Sequence, residues 1–318
     1  SARFGSAVAI KGDIAWIGAR LASTGGRAYE YRMDSVTGMW AATGRSITPP
    51  VPASGDQFGS TIAFDGSVLA VGATGATVGT VNQAGAVDLF DPRTLTRIIR
   101  ITEATPTSEI HFGSIMALGD GFLAVASPNR SSAPDGAVDI WSRSGTSWAR
   151  TGTLVAPAGP ALYDFGASLA VSGNRLVVGT RGPAGQTGQV FVFEKGPRGT
   201  WNQVSRIETA GPLRTDYYGS SLAANGGLIA MGIPTEFPNL GLSRSPVWLH
   251  RNTGGQTWTA VAPAVPDDLG SYSQFASNMA MTSRYLAVAY NGGPPGGITV
   301  FLHNPAGNLP PSFTSSPV

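Results

Sequence analysis

Phe4-Gly5-Ser6-Ala7-Val8-Ala9-Ile10 and Phe58-Gly59-Ser60-Thr61-Ile62-Ala63-Phe64 are one segment written twice. The same segment starts again at Phe112, Phe165, Tyr218 and Phe275, so the intervals are 54, 54, 53, 53 and 57 residues. A fixed period of this size is the mark of a repeat architecture, in which each repeat is one supersecondary unit. The 318 residues are therefore six units of about 53, with little left over.

Each unit divides into four short strands. The Phe-Gly segment alternates small and apolar residues at period two, the pattern of a half-buried strand. A tight turn follows, such as Lys11-Gly12-Asp13, Asp65-Gly66-Ser67 or Gly173-Asn174. The second strand is a continuous apolar run, as in Val68-Leu69-Ala70-Val71, which predicts burial on both faces. After a longer loop comes a third strand, Val87-Asp88-Leu89-Phe90, Val138-Asp139-Ile140-Trp141 or Val190-Phe191-Val192-Phe193. The fourth is opened by Trp40, Trp148, Trp201 or Trp258, with Leu95 in that place in the second unit.

A four-stranded antiparallel unit cannot bury both faces alone, so neighbouring sheets must stack. Radial stacking protects the sheet edges and is the β-propeller. The expectation is an all-β, six-bladed β-propeller over residues 1–308, with a seven-bladed ring cut at its N-terminal side as the alternative. In the sixth unit Ala276 replaces the glycine, and its fourth strand is expected within 309–318, near Phe313, unless that segment is a linker.

Composition narrows the function classes. Charged residues are 13% of the chain against 42% hydrophobic, so a sizeable core is available and disorder is excluded despite 43 Gly and 23 Pro. The net charge of +2 is spread singly along the chain and forms no basic stripe, which argues against nucleic acid. No apolar run of about 18 residues predicts a membrane span. Ser1-Ala2-Arg3-Phe4 does not read as a signal peptide. The absence of Cys excludes disulfides and thiol chemistry.

The units resemble FG-GAP repeats of bacterial surface and secreted proteins, related to the integrin α-subunit head. Phe4-Gly5-Ser6 with Ile17-Gly18-Ala19, Phe58-Gly59-Ser60 with Val71-Gly72-Ala73, and Gly85-Ala86-Val87-Asp88-Leu89-Phe90 carry the resemblance. It implies a propeller, an extracellular or cell-surface setting, and in many members calcium held in the first hairpin. Here those hairpins are short, with Asp13, Asp65 and Asp120 one to a loop, whereas calcium needs many converging oxygens. No cofactor and no metal is expected. The tail Leu309-Pro310-Pro311-Ser312-Phe313 resembles the opening of an immunoglobulin-like module, which implies a longer multi-domain chain.

No catalytic constellation is evident. His111, His250 and His303 fall in three different units without metal spacing. His250 occupies a third-strand slot that is otherwise Tyr31, Phe90, Trp141, Phe193 and Phe301, so it reads as a packed substitute for an aromatic. Gly254-Gly255-Gln256-Thr257-Trp258 matches only half of a sialidase Asp-box. Asp267-Asp268 is an acidic pair in a Pro-rich loop, read as solvated. What stands out is loop asymmetry, since the loops joining strands two to three and blade to blade are long and variable. On one face of a rigid scaffold such loops are where ligands are met. The candidate ligand-binding residues there are Arg20, Arg130, Tyr163, Asp164, Arg181, Asp216, Tyr217, Glu236 and Tyr272.

The first functional reading is a non-catalytic binding or adhesion module, not an enzyme, with a protein or glycan on a cell surface as partner. The alternatives are a glycan-cleaving hydrolase or lyase with its site at the propeller mouth, and a purely structural spacer.

Overall fold

The computed structural model describes residues 2–128, 136–157, 163–182, 187–208, 218–233, 247–261, 275–290 and 297–302. Every regular element among them is a strand. The first blade is β1 (Phe4–Lys11), β2 (Ile14–Ala19), β3 (Arg27–Met33) and β4 (Trp40–Ile47), and the second is β5 (Phe58–Phe64), β6 (Leu69–Ala73), β7 (Ala86–Phe90) and β8 (Arg97–Ile101). The third holds β9 (Ile115–Gly119), β10 (Phe122–Ser127), β11 (Ala137–Ser144) and β12 (Ser147–Val155). The fourth holds β13 (Tyr163–Ser172), β14 (Arg175–Arg181), β15 (Val190–Lys195) and β16 (Trp201–Ile207). The fifth holds β17 (Ser221–Asn225), β18 (Leu228–Gly232), β19 (Val247–Gly254) and β20 (Thr257–Ala260). The sixth shows β21 (Asn278–Met281), β22 (Tyr285–Tyr290) and β23 (Gly297–Leu302). Each sheet is an antiparallel meander in chain order. This is the six-bladed β-propeller of four-stranded blades. The segment proposed for the last strand, 309–318, lies outside the described residues.

The chain divides into two compact units, Ser1–Val155 and Ala156–Val318, with three blades in each. In both, the second strands are the core, with β6, β10 and β18 buried along their whole length. Apolar clusters fill the gaps between consecutive sheets. Phe58, Leu69 and Phe90 pack with Trp16 between the first and second blades, and Val87, Leu89, Phe112 and Leu123 pack with Trp148 between the second and third. Trp148, at the head of a fourth strand, thus packs in the gap between two blades.

The Phe-Gly motif has a geometric cause. Gly5, Gly59, Gly113, Gly166 and Gly219 all sit at φ between +83° and +95°, a region that glycine enters without steric penalty. At Gly59, Gly113 and Gly219 that turn aims the carbonyl at the preceding blade. Ser6 Oγ donates to Gly59 O at 2.8 Å, Thr61 Oγ1 to Gly113 O at 2.6 Å, and Ser168 Oγ to Gly219 O at 2.5 Å. The same carbonyls rest on Gly18, Gly72 and Gly179 of the second strands, where no side chain would fit. The motif is a blade-to-blade fastener, and its period is the period of the fold.

Buried acids fasten the third and fourth strands within a blade. Asp88 and Asp139 occupy matching positions of β7 and β11, fully buried, and are met by arginines of the fourth strand. Arg97 lies 3.5 Å and Arg100 3.8 Å from Asp88, and Arg150 2.8 Å from Asp139. Burial pushes the Asp88 carboxyl above its ordinary value, and Arg100 and Arg97 pull it partly back. In the first blade Glu30, on the opposite face of β3, pairs with Arg45.

Candidate functional site

The residue before each Phe-Gly is held in a left-handed conformation without being glycine. Arg3, Gln57, His111 and Asp164 have φ of +48°, +56°, +52° and +55°. Non-glycine residues rarely adopt this region, and such strain gathers at functional positions. In the first unit Arg3 lines one hollow, and Gln57 and His111 each hydrogen-bond a residue of its lining. A polar space of about 640 Å³ is lined by Arg3, Arg20, Ser6, Ser60, Thr61, Thr74 and Ser114. Gln57 steadies Arg20, whose Nη1 donates to Gln57 Oε1 at 2.5 Å. His111 is tied to the wall through Nδ1, 3.0 Å from the Thr74 carbonyl oxygen. A carbonyl only accepts, so in the neutral ring Nδ1 carries the proton and Nε2 the lone pair.

The chemistry of this hollow is mixed by design of the fasteners. The Ser6 and Thr61 hydroxyl protons are committed to Gly59 O and Gly113 O, which leaves oxygen lone pairs to accept from a ligand. The two guanidinium groups supply positive charge. The space therefore suits a molecule that is both anionic and hydroxylated.

Of the predicted ligand-binding residues, Arg20 lies in this hollow. Asp164 and Arg181 are brought together in the second unit as an ion pair at the start of the fourth blade, where Tyr163 pairs in register with Arg181. Arg130, Asp216, Tyr217, Glu236 and Tyr272 lie outside the described residues, as do His303 and Asp267-Asp268. Sequence reasoning missed Arg3, Gln57 and the hydroxyls. Their signal was present, because Ser6, Ser60 and Ser114 follow the Phe-Gly pair at a spacing of 54. Among the described residues no group of three or more His, Cys, Asp or Glu converges as a metal would require. Asp65 Oδ1 accepts from the Ser67 and Val68 amides at 2.7 Å, so this hairpin carboxylate serves its own turn.

A second cavity, of about 460 Å³, lies in the other unit between the fourth and fifth blades and reaches His250. His250 pairs with Ile229 in the register that Phe90 shares with Leu69, so it does take the aromatic slot, and it is buried. Burial pushes its imidazole down to about 4 from an ordinary 6.5. The unfolded chain then binds the proton more readily, so stability is full above about pH 6.5 and falls as pH drops toward 4. The full loss is on the order of 3 kcal/mol. Denaturant unfolding from pH 8 to 4 should show this decline, and His250→Phe should flatten it. An unchanged slope in the variant would remove His250 from the account.

An FG-GAP repeat family model matches residues 44–90. No curated protein matches the chain. Among solved structures, a protein from Lactobacillus plantarum superposes with a TM-score of 0.61 at 13% identity, over 98% of this chain and 83% of that one. A protein of Bacteroides uniformis, provisionally named a 6-phosphogluconolactonase, gives a TM-score of 0.65 at 13% identity, over 99% of this chain and 85% of the other. A protein of Bacteroides fragilis with the same provisional name gives 0.64 at 11%, over 99% and 84%. At such identities the likeness is one of fold. It nonetheless corrects the first functional reading. The fold is shared over almost the whole chain with proteins bearing enzyme names, so the non-catalytic adhesion module, the answer "not an enzyme" and the integrin-like label are withdrawn. Among the described residues no helix is long and apolar enough to cross a membrane.

Proposed function

We propose that the chain is a hydrolase that opens the lactone or ester of an anionic sugar in the arginine- and hydroxyl-lined hollow of the first unit. The observation that carries this reading is the set Arg3, Gln57 and His111, one from each of three consecutive blades, each held left-handed at the same repeat position. Arg3 and Arg20 bind the anionic group. The Ser and Thr oxygens accept from sugar hydroxyls. His111 Nε2 takes a proton from the attacking water, the guanidinium charge stabilises the oxyanion that forms on the carbonyl, and His111 returns the proton to the leaving ring or ester oxygen as the acyl C–O bond breaks. The fold shared with provisionally named 6-phosphogluconolactonases supports ester hydrolysis over adhesion. An extracellular or cell-surface setting belongs to the same reading, supported by the FG-GAP likeness of residues 44–90.

The test is acid release, followed by pH-stat, from a phosphorylated sugar lactone, a uronic acid lactone and a neutral sugar lactone. The anionic lactones should turn over faster than the neutral one. Arg20→Ala should raise KM at least tenfold for the anionic substrates only, and His111→Gln should lower kcat about a hundredfold. Equal rates on all three lactones, or full activity in both variants, would overturn the assignment.

A further inference from the structure

The cavity of the second unit departs from the repeat at three places at once. Tyr218 stands where the other units carry Phe4, Phe58, Phe112, Phe165 and Phe275. His250 stands in the third-strand aromatic slot. Trp248 pairs with Met231 in the register that joins Asp88 to Val71 and Asp139 to Val125, so it replaces the buried acid of those blades. Each substitution brings a polar atom into the gap between the fourth and fifth blades. Tyr218 Oη, Trp248 Nε1 and His250 Nδ1 are all buried, and none has a hydrogen-bond partner. Tyr218 is wholly buried and His250 is 5% exposed. All three line the one cavity of about 460 Å³.

Buried polar groups are nearly always satisfied, and leaving one unpaired carries the full cost of its desolvation. Three in one pocket, with Phe in every sister unit at the Tyr218 position and in three of five at the His250 position, point to a ligand that pairs them. The chemistry of that ligand follows from the walls. Burial holds the imidazole neutral and the Tyr218 phenol protonated at physiological pH. Arg206 and Glu208 at the rim neutralise each other in an ion pair. Trp258 offers a half-buried indole, steadied by the Arg175 guanidinium 5.8 Å from its ring. Neutral donors and acceptors beside an aromatic face match a pyranose ring, which has equatorial hydroxyls around its edge and an apolar face. The volume is in the range of small-ligand sites.

We infer that the gap between the fourth and fifth blades is a binding site for a neutral sugar residue, separate from the anionic-sugar hollow of the first unit, with Tyr218, Trp248 and His250 as its hydrogen-bonding groups and Trp258 as its stacking face. The test uses Tyr218→Phe and His250→Phe, the residues that other blades carry, so the fold is kept. Calorimetry and tryptophan fluorescence on the whole chain would be run against methyl glycosides of glucose, galactose, mannose and N-acetylglucosamine and against maltose and cellobiose. Wild type should bind at least one of these saturably with quenched or shifted indole emission. Each variant should fold with an unfolding midpoint no lower than wild type at pH 7.5, yet bind at least tenfold more weakly. Lactone turnover should be unchanged in both variants, which separates this inference from the hydrolase reading. Absence of saturable binding across the panel would overturn it, as would binding that survives both substitutions.

Discussion

Gly179→Ala is expected to separate the fourth blade from the fifth and to cost about 3 kcal/mol or more. Gly179 lies in β14 at an ordinary backbone conformation, so the penalty is not one of dihedral strain. A methyl group there would come within 3.0 Å of the Gly219 carbonyl oxygen and of Ser168 Oγ. The carbonyl cannot give way. The carbonyl belongs to a backbone fixed at φ +83°, and it already accepts the Ser168 hydroxyl at 2.5 Å. Relief requires moving one sheet away from the next, which opens the apolar cluster of Val177, Val190, Tyr218, Ile229 and Met231. Gly152→Ala is the matched control, since a Cβ there meets nothing within 4 Å. Its expected effect is within about 0.5 kcal/mol. Chemical denaturation of both variants settles the matter. A Gly179→Ala midpoint equal to that of Gly152→Ala would falsify the fastener.

The second large effect is expected at Arg45. Its Nη1 meets Glu30 Oε2 at 2.6 Å, and its Nη2 donates to the carbonyls of Pro92 and Arg93 at 2.8 and 2.6 Å. One guanidinium thus ties a buried acid of the first blade to the hairpin between β7 and β8 of the second. Surface ion pairs contribute little, but the Glu30 side chain is only 2% exposed, which puts the pair in the buried class. Arg45→Ala leaves that carboxylate with Arg32 alone, 3.9 Å away, and should cost about 3 kcal/mol. Arg45→Lys should recover less than half, because one ammonium cannot span three acceptors in a fork. Loss below about 1 kcal/mol in Arg45→Ala would place the pair among ordinary surface contacts. A double-mutant cycle with Glu30→Gln measures the coupling directly.

Much of the fold was legible because its determinants are local. Alternation in Phe58–Phe64, the apolar run at Leu69–Ala73 and the Asp65-Gly66-Ser67 turn each declare their conformation over a few residues. The site was legible only in part. Arg20 was named from its loop, but its partner Gln57 is 37 residues away and meets it only across two blades. Tyr218 and His250 each read as a sound aromatic substitution, one at the head of the Phe-Gly motif and one in a packed slot. Nothing in their own neighbourhoods shows that both open on one cavity with unpaired polar atoms.

The repeat period and the strand order within each blade were determined by the sequence alone, since strand pattern and turn chemistry act at short range and recur at a constant interval. The grouping of polar side chains was decided by tertiary structure. It depends on left-handed residues ahead of each Phe-Gly and on carbonyls seated on second-strand glycines. Those are contacts between neighbouring sheets, over separations near one repeat, where no local pattern reaches.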